Sequence, residues 1–163
     1  MTYQAGGRLD SATWVTEPNV PDPDHLPVPL GWTVLIRPYP ISETTRGGII
    51  LSTDDRDMMS NITNIGRVVA IGKCCWNRSH HKDSDGNQFQ WVKEGDFVSF
   101  PKHTGAKRKF KGVSYIVLND DEITDFLPDP QVYDEGTYRL DIPNEHLQKY
   151  NTIHNPNFEP RGV

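Results

Sequence analysis

Between Pro29 and Pro128 the chain is written in short runs of β-branched and aromatic residues, punctuated every few positions by Gly, Asp, Asn or Pro. That spacing leaves little room for a long helix and is the pattern of an all-β sandwich or barrel. Thr33-Val34-Leu35-Ile36-Arg37 reads as a strand stopped by Pro38 and Pro40, since proline supplies no ladder donor. Gly48-Ile49-Ile50-Leu51 is a short apolar run behind two glycines. Gly66 to Gly72 encloses Arg67-Val68-Val69-Ala70-Ile71, a strand bracketed by residues that turn sharply. Asp85-Gly86 carries the signal of a tight, projecting hairpin, with Phe89-Gln90-Trp91-Val92 returning on the far side. Phe97-Val98-Ser99-Phe100 follows Glu94-Gly95-Asp96, and Tyr115-Ile116-Val117-Leu118 follows a turn at Lys111-Gly112. Five or six strands result, enough to close a small barrel. Asp120-Asp121-Glu122-Ile123 reads as one helical turn opened by acidic residues, which suit a helix N-terminus.

The two ends read differently. Of thirteen prolines, Pro18, Pro21, Pro23 and Pro27 precede residue 29, and Pro130, Pro143, Pro156 and Pro160 follow residue 128. Each removes a backbone donor and restricts its predecessor, so 1–28 and 129–163 are expected to be extended, largely irregular arms around one domain at 29–128. Charge divides the same way. Residues 29–128 hold 13 Lys/Arg against 12 Asp/Glu, a balance of +1, while the arms hold 4 against 10, a balance of −6, and so account for the chain's net charge of −5. An acidic chain is poorly suited to nucleic acid or an anionic membrane surface. No apolar run has the length of a membrane span and the first residues lack a secretory pattern, so the expected location is the cytoplasm.

Few side chains point to chemistry. Adjacent Cys74 and Cys75 are poor disulfide partners and are expected as free thiols. With His80 and His81 they offer soft ligands for zinc, but adjacent side chains diverge and no metal is expected. Asp83, Asp85 and Asn87 suggest part of a calcium loop that lacks its later bidentate Glu, leaving a hairpin tip as the reading. Lys102, His103, Lys107, Arg108, Lys109 and Lys111 form a basic run with only Phe110 to stack on a base, which favours a polar hairpin over a nucleic-acid surface. No nucleophile motif, paired carboxylates or phosphate-binding glycine loop occurs, so neither catalytic residues, a cofactor nor enzyme activity is expected.

Read in order, these elements resemble the co-chaperonin (GroES-like) family over about a hundred residues. Pro29-Leu30-Gly31-Trp32-Thr33-Val34-Leu35-Ile36-Arg37-Pro38 resembles the opening strand. Glu43-Thr44-Thr45-Arg46-Gly47-Gly48-Ile49-Ile50-Leu51 is similar to the mobile loop. Gly66 to Gly72 and Val92 to Phe100 resemble the strands to and from the roof, and Tyr115 to Ile123 the closing segment. Met58–Ile65 and Lys73–Gln90 have no counterpart in that resemblance. The long arms are a departure similar to the divergence of bacteriophage members.

The resemblance implies a GroES-like β-barrel in a homo-oligomeric ring that caps a chaperonin, with ATP bound by the partner. Gly47, Gly48, Ile49, Ile50 and Leu51 are then the partner-binding loop, flexible at its glycines and apolar at its tip. By spacing alone, Ile49-Ile50-Leu51 reads as an ordinary barrel strand; the lack of any large apolar residue from Thr44 to Gly48 brings the loop reading level with it. A second function fits the same fold: a virion structural protein, whose arms, with anchors such as Trp14, Leu26 and Tyr133, tether it to capsid or tail proteins.

Overall fold

In a computed structural model of the chain, residues 14–128 are described except 46, 62, 79–81, 83, 88 and 89, together with residues 140–142. Residues 1–13 and most of the arm 129–163 lie outside that set, as do His80, His81, Asp83 and Phe89 of the expectations above. Six strands, β1 Thr33–Pro38, β2 Ile65–Ile71, β3 Phe97–Ser99, β4 Ala106–Phe110, β5 Val113–Asn119 and β6 Asp125–Phe126, form one antiparallel, barrel-like sheet in the order β4-β5-β1-β2-β3-β6. One helix, α1, spans Thr53–Asn61, and a 3₁₀ turn spans Asp120–Glu122.

The expected strands in β1, β2, β3 and β5 are present. Gly48–Leu51 is not a strand of the sheet; it meets Thr44 through an isolated bridge at Ile50. Around Asp85 the chain turns, with Gly86 at φ +82, and no strand occupies the described residues 90–92. Strand β4 comes from the basic run, as one arm of the polar hairpin expected there. Two elements were not anticipated: β6 has two residues, and α1 lies in a segment without an apolar period.

Alternation sorts each strand into two faces. Val34 and Ile36 of β1, Val68 of β2, Val98 of β3 and Ile116 and Leu118 of β5 meet in the interior cluster. The opposite parity carries Leu35, Val113 and Tyr115. In β2 the spacing is broken by a bulge: Ile36 pairs with Val68 but Leu35 with Ala70, so Val69 is the extra residue. The bulge lets Val68 and Ile71 both pack in the interior although three positions separate them. Gly66 is required where β2 passes β1, because a Cβ there would approach the Arg37 carbonyl oxygen to 2.8 Å.

One end of the interior is filled from the insertion after β2. Cys75 and Trp76 are buried in a turn, Trp76 at φ +55. The buried Asp120 carboxylate holds that turn, accepting the Trp76 N–H at 2.7 Å and pairing with Arg78 at 3.0 Å, while Arg78 also lies 5.0 Å from the Trp32 ring.

The outer face is covered too. Residues 15–28 lie across it: Val15 is buried and Leu26 packs on the Leu35 cluster, while Trp14, at the segment's start, packs instead against the interior cluster and stacks under Lys107 at 4.9 Å. Lower on the same face, Leu140 and Ile142 pack with Tyr39, Ile65 and Phe97. Val34 through Pro38 are therefore all buried, where a one-sided strand would alternate.

Candidate functional site

The loop from Glu43 to Leu51 is built between two fixed ends. At its start Ile41 bridges Leu140, and the Asp141 N–H donates to the Pro40 carbonyl at 2.9 Å. At its end Ser52 caps α1: its hydroxyl oxygen accepts the Asp55 N–H at 3.2 Å and its O–H donates to the Asp55 carboxylate at 2.6 Å. Asp54 and Asp55 complement the dipole of the first turn.

Helix α1 is attached by polar groups one turn apart. The buried Ser60 hydroxyl accepts the Ile41 N–H at 2.9 Å, and Arg56 donates from Nε to the Ile41 carbonyl at 2.7 Å. The same guanidinium pairs with Glu17 at 2.8 Å and Asp141 at 3.4 Å, joining the segments before and after the barrel at the loop's root. The Arg56 hydrogen bond holds the Glu17 carboxyl below the usual carboxylate range.

Within the loop Thr45 closes a turn. Its N–H donates to the Ile49 carbonyl at 2.9 Å, its Oγ1 accepts the Ile49 N–H at 3.1 Å, and its carbonyl accepts the Gly48 N–H at 3.0 Å. Gly48 sits at φ +84, which favours glycine. Leu51 returns to the root through its N–H to the Glu43 carbonyl at 2.8 Å. The side chains of Ile49 and Ile50 are left 65% and 79% exposed, Leu51 is half-buried, and Gly47 and Gly48 are exposed. The five residues singled out by sequence thus lie together, away from the interior cluster. Two adjacent exposed isoleucines are the kind of feature that marks a contact surface.

Other candidates are not assembled into sites. Cys74 is exposed and Cys75 buried, both free, in a turn that sends their side chains apart. Burial pushes the Cys75 thiol up to about 11, the opposite of a metal-binding or nucleophilic cysteine. Among the described residues no group of three or more His, Cys, Asp or Glu is placed to hold a metal ion, and no helix is long and apolar enough to cross a membrane. Lys107, Arg108 and Lys109 are exposed along β4.

One polar cluster escaped sequence reading. Arg37 and Arg67, register partners on β1 and β2, are 1% and 9% exposed beneath residues 14–28. Asp22 bridges them, at 3.0 Å to Arg37 and 2.6 Å to Arg67. The available signal was a pair of arginines at outward parity among Leu35, Val69 and Tyr39, a face too apolar for solvent.

A small, antiparallel barrel-like sheet with an exposed apolar loop after its first strand defines the structural class, and comparison with known proteins names the family. The family model described as the chaperonin 10 kDa subunit matches residues 28–126. The chain belongs to that family. Proteins named co-chaperonin GroES are similar to it: that of Leuconostoc citreum is 36% identical over 96 residues, 58% of this chain and 92% of the relative. That of Fusobacterium nucleatum subsp. polymorphum is 30% identical over 95 residues, 58% of this chain and 90% of the relative. That of Symbiobacterium thermophilum is 33% identical over 91 residues, 56% and 84% respectively. Since 96 residues are 92% of the Leuconostoc protein, that protein is about 104 residues long and has no room for arms of this size.

Proposed function

We propose that this chain is a co-chaperonin that docks on a chaperonin ring through Ile49, Ile50 and Leu51. The carrying observation is the exposure of both isoleucines at the tip of a loop whose two ends are anchored. Family membership supports the partner, a chaperonin ring, and the oligomeric form, a ring of this chain in the cytoplasm; ATP belongs to the partner, and this chain acts without catalysis.

Energetics favour many weak contacts. Burying one isoleucine fully stabilises by roughly 2 kcal/mol, so two give about 4 kcal/mol, equivalent to a dissociation constant of about 1 mM before ordering costs. A ring presents several loops at once and converts later contacts into intramolecular ones. Such a cap holds while the partner offers its grooves and leaves when the partner's nucleotide state withdraws them. The turn closed by Thr45 lowers the ordering cost at Ile49.

The reading of the barrel as a virion part tethered by its arms draws on segments the shorter relatives lack. Residues 14–28 lie on their own barrel, which favours the cap for that part of the chain. The test is co-sedimentation of the purified chain with a chaperonin, with and without ATP, against Ile50→Asp. The cap reading expects nucleotide-dependent binding that the substitution abolishes. Binding in neither state, with the chain recovered from purified particles, would overturn it in favour of the virion role.

A further inference from the structure

The outer face of β1, β2 and β5 carries charges that a barrel surface does not need. Two buried guanidinium groups at paired positions repel one another, and each requires an anion. One carboxylate serves both. Asp22 Oδ1 accepts from Arg37 Nη1 at 3.0 Å and from the Tyr115 hydroxyl at 2.7 Å, and Oδ2 accepts from Arg67 Nη2 at 2.6 Å. Tyr39 orients Arg67, its hydroxyl oxygen accepting from Nε at 3.0 Å. Arg37 Nη2 reaches the carbonyls of Val20 at 2.5 Å and Glu17 at 3.2 Å, while its buried Nε has no hydrogen-bond partner. Donors on three strands converge on one carboxylate, and one donor is still unused.

The covering segment is attached in a particular way. Among the described residues, no backbone–backbone hydrogen bond joins 14–28 to a strand. Side chains do the holding: the Ser114 N–H, beyond the last β1–β5 pair, donates to Thr16 Oγ1 at 2.7 Å, and the Ser114 hydroxyl donates to the Trp14 carbonyl. The family match begins at residue 28, and the Leuconostoc protein, about 104 residues long, has no room for this segment, so the segment lies outside the part of the chain that the family shares.

We propose that this face is a binding site for an extended peptide bearing a carboxylate, and that residues 14–28 fill it in cis with Asp22 as the ligand group. The barrel is the receptor and the segment a self-supplied occupant. The site can therefore be emptied without unfolding the barrel, and refilled in trans by the same sequence. This inference does not depend on chaperonin binding.

The experiment uses the full chain carrying Asp22→Asn, and a synthetic peptide of residues 14–28 as probe. Chymotryptic cleavage after Trp14 and hydrogen exchange at the Ser114 amide should each rise at least tenfold, with the β1–β2 ladder still protected. The native peptide should restore Ser114 protection. A peptide with Asn at position 22 should bind at least tenfold more weakly, and a chain also carrying Arg67→Met should lose the preference between the two peptides. If an asparagine amide keeps the segment seated, Asp22→Ala takes its place. Unchanged exchange in both variants would overturn Asp22 as the ligand group. Loss of β1–β2 protection together with the segment would show that the segment is core. A lifted segment with no preference for the carboxylate peptide would show that the face is not a carboxylate site.

Discussion

The two faces of the same three strands are held by opposite physics. Inside, Val34, Ile36, Val68, Ile116 and Leu118 pack as hydrocarbon, with no charge to satisfy. Outside, Arg37, Arg67, Tyr39 and Tyr115 are buried, and their charge is met by an aspartate from a segment that the shorter relatives cannot supply. The interior is the part of the chain that the family's fold requires. The segment that supplies Asp22 lies outside the family match, and because ions are costly to bury, the outer cluster fixes where that segment lies more than how stable the barrel is.

The sharpest way to break that contrast is to damage each face once. Ile36→Ala removes buried methyl groups from a packed interior and should destabilise the whole domain by about 3 kcal/mol, read as a lower midpoint in urea with an unchanged slope. Asp22→Ala should cost less, roughly 1–2 kcal/mol, although stranding a buried charge commonly costs 3–5 kcal/mol. The difference arises because the segment can lift and let water reach both arginines. If Asp22→Ala proved the more damaging, the outer cluster would be part of the core and the contrast would fail.

Acid separates the faces without mutation. Burial raises the Asp22 carboxyl, but its hydrogen bond from Tyr115 and the charges of Arg67 and Arg37 outweigh this and hold it below the usual range. Glu17 is lowered by Arg56. A depressed carboxyl contributes stability above its unfolded value, near 4, and loses it as pH falls through the folded value. Asp96, buried at the turn before β3, is shifted upward chiefly by burial, so protonation there relieves the fold. Exchange at Ser114 should therefore accelerate below about pH 4 while the β1–β2 ladder remains protected. Simultaneous loss would tie the segment to the barrel's own unfolding.

The inner face was legible because strand alternation and glycine punctuation are local signals: β1, β2, β3 and β5 follow from Val, Ile and Phe at the right spacing. Helix α1 was not, since Arg56 and Ser60 hold it by polar contacts that leave no apolar stripe. The role of Asp22 was unreadable for a related reason. A single aspartate among prolines has no period, and its partners are 15, 45 and 93 positions away. The loop was legible as residues, but its standing apart from the sheet was not, because Ile49-Ile50-Leu51 is the same pattern inside a strand. The adjacent cysteines give a small chemical counterpart: Cys74 should be alkylated readily near pH 8, and Cys75, exposed only on unfolding, should not.

The smallest stability change belongs to the substitution with the largest proposed effect on binding. Ile50 is 79% exposed, and Ile50→Asp removes no packed contact from either face, so the urea midpoint should move by less than about 0.5 kcal/mol equivalent. Its backbone bridge to Thr44 is independent of the side chain. If the loop docks as proposed, the same change should forfeit roughly 2 kcal/mol per loop on a chaperonin, about 30-fold, and add the cost of pressing a carboxylate against an apolar groove. With several loops engaged, the deficit compounds across the ring. A loop that merely completes the fold would give the reverse result, an unstable protein that still binds once refolded. Measuring both quantities on one sample therefore distinguishes a surface kept for a partner from one kept for the barrel.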